Sequence, residues 1–519
     1  PAAMLMKGDT SIDAERLPNF AELGQTATWY KNNTTVSDAT WSAVPAILTG
    51  FTPPDKTPNN AVYEQSIYTM LAPSHRVTNL EAVTHVCPSS ICEPLPVGNA
   101  KERLTALFDD LTVVAGRTVL PDSLANQLPA IDATYTDFAP TNSQQSAAEV
   151  KTAADPKSRF ADSPPLADLP GAGSRNEGLR LTAEKQNAIS GEGRPPLYVF
   201  HMLLPHVPWR FSPEGDQYIS DGSDAPGLND QIWSDDRYPS DVALQRSMLQ
   251  TEYSDKILGS FVKRMKEAGI WQRSLFIVTA DHGVSYRPGG SRRPVTKQNL
   301  PELANTPLFV KLPGQSKGAV DTGFTQSIDI APTVAQVTKT GDGLKFNGVP
   351  LGSENKKRVV AVRNERAEKK ITGDWNQMIE QRDELARSWS ELFPPGRASL
   401  YRLGPNQNLI GRQVSSLQVG STAATAKILS SELYKPQTRD DGVLQIYLAG
   451  SIDGAPAQTP LAAAVNGKIV AVGQTFDTVS GVRFAIILPP ESLKGSKVRV
   501  QLFSVSGGTT LAQLAAAGR

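Results

Sequence analysis

Residues Phe276–Ser285 read FIVTADHGVS, and this stretch decides the fold. An apolar, β-branched run from Leu275 to Val278 breaks off at Thr279-Ala280-Asp281-His282-Gly283. That is the pattern of a buried strand delivering a carboxylate and an imidazole side by side at its end. Open α/β sheets place their ligands beyond the carboxyl ends of strands. Asp281, a hard oxygen donor, beside His282, a borderline nitrogen donor, makes half of a metal site, with Gly283 permitting a tight turn. The plainer alternative is a surface Asp-His pair of the kind that can follow any strand.

Working outward, Val242–Ala268 carries Leu244, Met248, Tyr253, Ile257, Phe261 and Met265 at four- and five-residue steps, with Leu258 and Val262 beside them. This spacing predicts a long amphipathic helix that stops at Gly269. Arg76–Val83, Leu197–Met202, Leu308–Leu312 and Val359–Val362 read as strands, and Ile12–Leu23 as a turn entering a short helix. Helices interleaved with short apolar strands indicate an α/β fold, a mixed sheet sandwiched by helices. From about Pro129 to Gly193 the composition turns polar and small, which marks an insertion on which no fold is forced. Residues 356–397 are charged and helix-prone and read as a connector. Beyond Ala398 come short β-type runs, among them Leu461–Val465 and Lys468–Val472 with Asn466-Gly467 between them, a hairpin signal. Residues 398–519 are therefore expected to form an all-β, sandwich-like domain.

The bulk numbers set the class. The chain has 519 residues, enough for two or three domains, and equal counts of 52 basic and 52 acidic residues. Zero net charge excludes the electrostatic footprint of a nucleic-acid binder. No run of 18 apolar residues occurs, so the segment does not itself supply a membrane-spanning helix. It opens at Pro1 without an initiator Met or signal peptide, which implies processing or excision from a longer chain. The two cysteines, Cys87 and Cys92 in CPSSIC, are spaced to close a small disulfide in an oxidising compartment; metal-bound or free thiols are the alternative.

Five histidines are few enough to weigh singly. His201 and His206 lie in FHMLLPHVPW, and a histidine held between Pro205 and Pro208 sits on a rigid, non-helical segment able to aim its ring into a cleft. His201 reads either as a core histidine or as a substrate contact. Upstream, Ala43–Thr49 is apolar enough for a helix with Pro45 in its first turn, which puts Thr40 just before the positive helix end. Thr40 is then either a helix cap, a role Ser42 could equally fill, or a nucleophile acting on a phosphorus or sulfur centre.

With these pieces in place the chain resembles the sulfatase branch of the alkaline phosphatase superfamily. TWSAVPAILTG at Thr40–Gly50 is similar to the sulfatase signature, anchored on Leu48-Thr49-Gly50; PHVPW at Pro205–Trp209 resembles its His-x-Pro element, and VTADHG at Val278–Gly283 its Asp-His/Asn-Gly element. TPLFVKLPG, QSIDIAPTVA and PNFAELG resemble further family segments, so the likeness covers residues 1–355. It implies an alkaline-phosphatase-like catalytic domain there.

The departures narrow the chemistry. Thr40 stands where sulfatases carry the Cys that becomes formylglycine, so an aldehyde-hydrate mechanism is not open to this chain. A Thr there is what the resemblance leads one to expect in phosphodiesterases and in lipoteichoic-acid-synthase-like phosphoglycerol transferases. It implies one divalent ion (Mn, Mg, Ca or Zn) held by Thr40, Asp281 and His282, with His206 against the substrate phosphate. The family's acidic ligand on the first strand is expected immediately upstream of Pro1. No histidine follows His282, which favours one ion over two. Arg287, Arg292 and Arg293, in a Gly-rich stretch after the Asp-His turn, are candidate substrate contacts, with a solvated basic loop as the alternative reading.

The expected function is a metal-dependent hydrolase or transferase acting on phosphate esters through Thr40. It would be extracytoplasmic and membrane-anchored by a segment upstream, with a glycan or lipid-linked acceptor as partner. Two rivals stand beside it: a sulfuric ester hydrolase lacking formylglycine, and an inactive envelope protein that binds glycan through its β domain.

Overall fold

The computed structural model describes residues 1–52, 63–92, 174–218, 225–353, 359–429, 431–434, 444–494 and 498–517, with 111–112, 115–116 and 120. The chain divides into two compact units. The first holds Pro1–Val97, Leu181–Leu203 and Asp255–Glu391; the second holds Gly98–Arg180, Leu204–Ser254 and Leu392–Arg519.

In the first unit the Phe276–Thr279 strand is the edge of a four-stranded sheet. It pairs antiparallel with Leu308–Lys311, which pairs antiparallel with Thr28–Tyr30, which pairs parallel with Ala319–Asp321. Arg76–Glu81 and Pro196–His201 form a separate parallel pair. Alternation along these strands separates two faces. Leu308 and Val310 point into one buried cluster with Val44 and Leu48 of the Thr40–Thr49 helix and Ile330 and Val334 of the Ile330–Thr338 helix; Leu197, Val199 and Ile277 pack against it. Phe309 and Trp29 face the other way, stacked at 5.8 Å, with Phe20 of the Pro18–Gly24 helix at 5.6 Å. That short helix is pinned by Asp255, whose carboxylate accepts from the backbone N–H groups of Asn19 and Phe20. Helices thus cover both faces of a mixed sheet, as the sequence pattern implies.

The long helix spans Arg237–Glu267, beginning five residues before the expected start, and Gly269 beyond it takes φ 66°. Two segments differ from expectation. Of the polar stretch 129–193, residues 129–173 lie outside the described residues, while Ser174–Asn187 is helical and buries Leu179, Leu181 and Ala183. The connector segment begins with the expected strand near Val359–Val362, here Val360–Asn364, which the sequence reading did not pair with Lys369–Gly373, and the Trp375–Leu392 helix follows. Val360 and Val362 are fully buried, and that period-two burial outweighs the charge of the residues around them.

In the second unit the C-terminal residues form one eight-stranded order: Val419–Gly420, Thr510–Ala517, Val500–Ser506, Pro460–Val465, Lys468–Thr478, Gly481–Ile487, Tyr447–Asp453, Thr425–Ile428. The eleven-residue Lys468–Thr478 strand joins its halves, pairing with Pro460–Val465 up to Gln474 and with Gly481–Ile487 from Thr475 onward. Asn466 and Gly467 both take positive φ, 50° and 81°, as the hairpin signal requires. Among the described residues no helix is long and apolar enough to cross a membrane.

Candidate active site

The Thr40–Thr49 helix starts one residue earlier than the capping alternative requires. Ala39 is its N-cap, in extended conformation and without a side-chain cap bond, and Pro45 falls inside the helix rather than in its first turn. The Thr40 hydroxyl is therefore not spent on capping. It donates to Asp281 Oδ2 at 2.7 Å and lies 3.3 Å from His282 Nε2. Gly50 ends the helix in the left-handed region at φ 74°, the conformation for which Gly is the default residue.

The Phe276–Thr279 strand stops where the Thr279 hydroxyl bonds Pro307 O at 2.9 Å. Asp281 Oδ1 then accepts the backbone N–H of His282 at 2.8 Å, which fixes the carboxylate. Gly283 donates its N–H to Leu303 O at 2.9 Å, and a Cβ there would stand 1.8 Å from Glu302 O. Glycine is required at this point by the close approach of the Leu300–Ala304 helix, not by the backbone freedom of a tight turn.

His282 Nδ1 lies 2.9 Å from Gly283 O, which places the proton on Nδ1 and leaves the Nε2 lone pair facing Thr40. Arg293 Nη2 meets that lone pair at 2.8 Å and donates to Asp38 O at 3.3 Å. Asp38 is the organiser behind Arg293. Its buried carboxylate accepts the N–H groups of Val295 at 2.8 Å and Glu365 at 3.1 Å, tying the residues before Thr40 to the arginine loop and to the Val360–Asn364 strand. Sequence reasoning missed Asp38. The signal was its place two residues before the nucleophile candidate.

Burial and then the Arg293 charge push His282 down to about 4, against the pull of Asp281, so the ring is neutral near pH 7. Burial raises Asp281, but His282, His201, the Thr40 hydroxyl and Arg293 outweigh it and hold the carboxyl well below the ordinary range. Asp281 is thus ionised, with the Thr40 hydroxyl donating to it and the Arg293 charge nearby, and its 3.3 Å approach to the neutral His282 ring is a dipolar contact.

The remaining candidates fall in different places. Arg287 is committed to the buried carboxylate of Glu302, which also accepts from Ser285 at 3.0 Å. Arg292 is itself buried, and its carbonyl accepts the Ser285 N–H. The arginine stretch is thus no solvated loop, and within it Arg293 makes the contact with His282. His201 ends the Pro196–His201 strand opposite Glu81. Cys87 and Cys92 are joined in a disulfide, and Glu81 accepts the backbone N–H groups of Val86 and Cys87 beside it. His206 belongs to the second unit, between the cis peptides Leu204-Pro205 and Val207-Pro208, with its carbonyl accepting from Gln250 at 2.9 Å.

Thr40 Oγ1, Asp281 Oδ2 and His282 Nε2 form an oxygen-rich set with one imidazole, and the tautomer of His282 is the one a metal ligand needs. This chemistry fits a divalent ion with three protein donors. Among the described residues no group of three or more His, Cys, Asp or Glu side chains adds to it.

A hydroxyl held by a carboxylate at a helix N-terminus, with an imidazole and a guanidinium beside it, is the equipment of covalent ester transfer. Residues 155–340 match the family model Sulfatase. Lipoteichoic acid synthase 1 of Bacillus subtilis (strain 168) is 29% identical over 126 residues, covering 23% of this chain and 20% of that protein. The match thus spans about a fifth of the curated relative. Among solved structures, a 2-O GAG sulfatase aligns at 13% identity and TM-score 0.44, covering 73% of this chain and 84% of that one. The phosphonate monoester hydrolase of Agrobacterium radiobacter aligns at 13% identity and TM-score 0.40, covering 67% and 75%. Residues 155–340 thus resemble a sulfatase domain, and part of the chain is similar to a lipoteichoic acid synthase.

Proposed function

We propose that this chain is a metal-dependent enzyme that transfers the phosphoryl group of a phosphate ester through Thr40. One observation carries the reading: the Thr40 hydroxyl, at the start of its helix, donates to Asp281 at 2.7 Å with His282 Nε2 at 3.3 Å. Asp281, His282 and Thr40 would hold one divalent ion, which would supply a lowered hydroxyl pKa and charge neutralisation at the ester.

The side chains do the rest. The Thr40 proton lies on the path to Asp281, so attack of Oγ1 on phosphorus delivers that proton to the carboxylate. The phosphorus–Oγ1 bond forms as the bond to the leaving oxygen breaks, and the leaving alkoxide takes up a proton from water. Arg293 moves from the His282 nitrogen to an equatorial oxygen, where its fixed charge is strongest against the developing charge. Water, or an alcohol such as a glycan hydroxyl, then attacks the group on Thr40 and loses its proton to solvent, while Oγ1 leaves and takes back the proton held by Asp281. The name of the curated relative supports an envelope substrate and an extracytoplasmic, membrane-anchored setting.

With a phosphodiester such as bis-p-nitrophenyl phosphate and added divalent metal, Thr40→Ala is expected to abolish turnover. Peptide mass spectrometry of the quenched wild-type enzyme should show a p-nitrophenylphosphoryl group on Thr40. Turnover retained in Thr40→Ala would remove the nucleophile assignment. The rival sulfatase reading is favoured by the name of the matched family model. An aryl sulfate hydrolysed faster than the phosphodiester by the same preparation would decide for it.

A further inference from the structure

Among the enclosed polar atoms of the first unit, His201 Nδ1 has no hydrogen-bond partner among the described residues. Its position follows from strand alternation. Leu197 and Val199 point into the cluster that also holds Val44 and Leu48 of the nucleophile helix and takes in Ile277 of the Asp281 strand. His201 is the next residue on that same face, at the carboxyl end of its strand. The face that seats the Thr40 helix therefore runs out to His201 on one strand and towards the Asp281 turn on another. Consistent with that proximity, Asp281 and His201 each perturb the other's ionisation.

The obvious partner for the ring is already taken. Glu81 stands opposite His201 in the parallel pair, but its carboxylate accepts from Thr84 Oγ1 at 2.6 Å and from the N–H groups of Val86 and Cys87, both at 3.0 Å. It holds the disulfide loop. Nor does His201 close a metal site with Asp281 and His282, since no three such residues group to hold an ion among the described residues. A buried hydrogen-bonding group at the end of that face, with no partner among the described residues, is left with the bound ester as the partner to test.

We propose that His201 is a substrate-contacting residue that donates a hydrogen bond from Nδ1 to an oxygen of the group being transferred. This rests on the reading of Thr40, Asp281 and His282 as an ester site and adds a contact on its far strand. Burial lowers the His201 pKa while Asp281 and Glu81 raise it, and burial wins, so the ring donates as a neutral imidazole. A neutral donor suits a place beside two carboxylates, because it can bind an oxyanion without being drawn into an ion pair with either of them.

The test uses the whole chain, metal-loaded, with inorganic phosphate as the probe. With only five histidines, selective ¹⁵N-histidine labelling resolves each ring. Phosphate is expected to shift the His201 Nδ1 resonance, and His201→Ala to weaken phosphate binding by calorimetry roughly ten- to a hundredfold, as for a hydrogen bond to a charged acceptor. His201→Asn, which keeps a donor near the Nδ1 position, should recover part of the loss. If wild-type protein binds phosphate with no change at His201, or if His201→Ala binds it unchanged, the proposal falls while the ester site stands. If wild-type protein binds no phosphate and Thr40→Ala is as active as wild type, the ester site falls and this contact with it. The resonance shift is read on unmodified protein, so misfolding of a variant does not shield the idea.

Discussion

Gly283→Ala tests the geometry of the site more sharply than any change to a reactive group. The added Cβ would sit 1.8 Å from Glu302 O and 3.2 Å from Leu303 Cα. Both are backbone atoms of the Leu300–Ala304 helix, so no side chain can swing aside. Relief requires the Asp281–Gly283 turn and that helix to separate by about an ångström or more, since carbon–oxygen contacts sit near 3.3 Å. The Gly283 N–H bond to Leu303 O would be lost in the process. Overpacking a well-filled interior costs about 1–3 kcal/mol, and the lost hydrogen bond about 1 kcal/mol more. We therefore expect a destabilisation of about 3 kcal/mol, read as a lower midpoint in urea. Activity should suffer separately, because displacing reacting groups by about 1 Å costs on the order of a hundredfold. The assay is kcat/KM for a phosphodiester well below the unfolding transition, with circular dichroism confirming that the protein is folded. A variant with wild-type midpoint and wild-type kcat/KM would show that the close approach does not hold the Asp-His turn in place.

Two further predictions concern stability. Burial pushes the Asp241 carboxyl up to about 6 from its usual 3.8, and the pairing with Arg237 only partly offsets this. A carboxyl whose folded pKa is raised contributes stability that is intact below the unfolded value and lost as pH rises through about 6. Asp241→Asn should accordingly raise the melting temperature at pH 8, by an amount corresponding to up to ~3 kcal/mol, with the gain vanishing towards pH 4; equal effects at both pH values would contradict the sign. Replacing Cys87 and Cys92 together by Ser opens a loop of sequence separation 5. On chain-entropy grounds the loss is about 2 kcal/mol, and a double variant that melts with the oxidised wild type would refute it.

The parts of the site that could be read from the sequence are those set by local structure. Asp281-His282 was visible because a strand of four described residues announces its own end, and the chemistry follows the strand directly. Thr40 was visible because the apolar run Ala43–Thr49 marks a helix just after it, and because Leu48-Thr49-Gly50 anchors the resemblance to the sulfatase signature. The hairpin at Asn466-Gly467 was legible for the same reason: both residues need positive φ. What stayed hidden depends on partners far along the chain. Asp38 meets Val295 and Glu365 across separations of 257 and 327 residues, and no local pattern encodes either contact.

The three arginines after the Asp-His turn show how sharp that limit is. In the sequence Arg287, Arg292 and Arg293 are equivalent charges in one Gly-rich stretch, and either all face substrate or all face water. The fold sorts them by what each meets. Glu302, almost fully buried on a five-residue helix that carries no clear sequence signal, needs a cation, and Arg287 supplies it. An unpaired carboxylate in that setting would be costly or would take up a proton. Burial of Glu302 raises its own pKa and Arg287 with Ser285 pulls it back. Committing Arg287 to Glu302 in turn leaves Arg293, anchored by the Asp38 carbonyl, as the guanidinium on the His282 ring. Which arginine meets the His282 ring is therefore decided by a carboxylate that does not touch that ring.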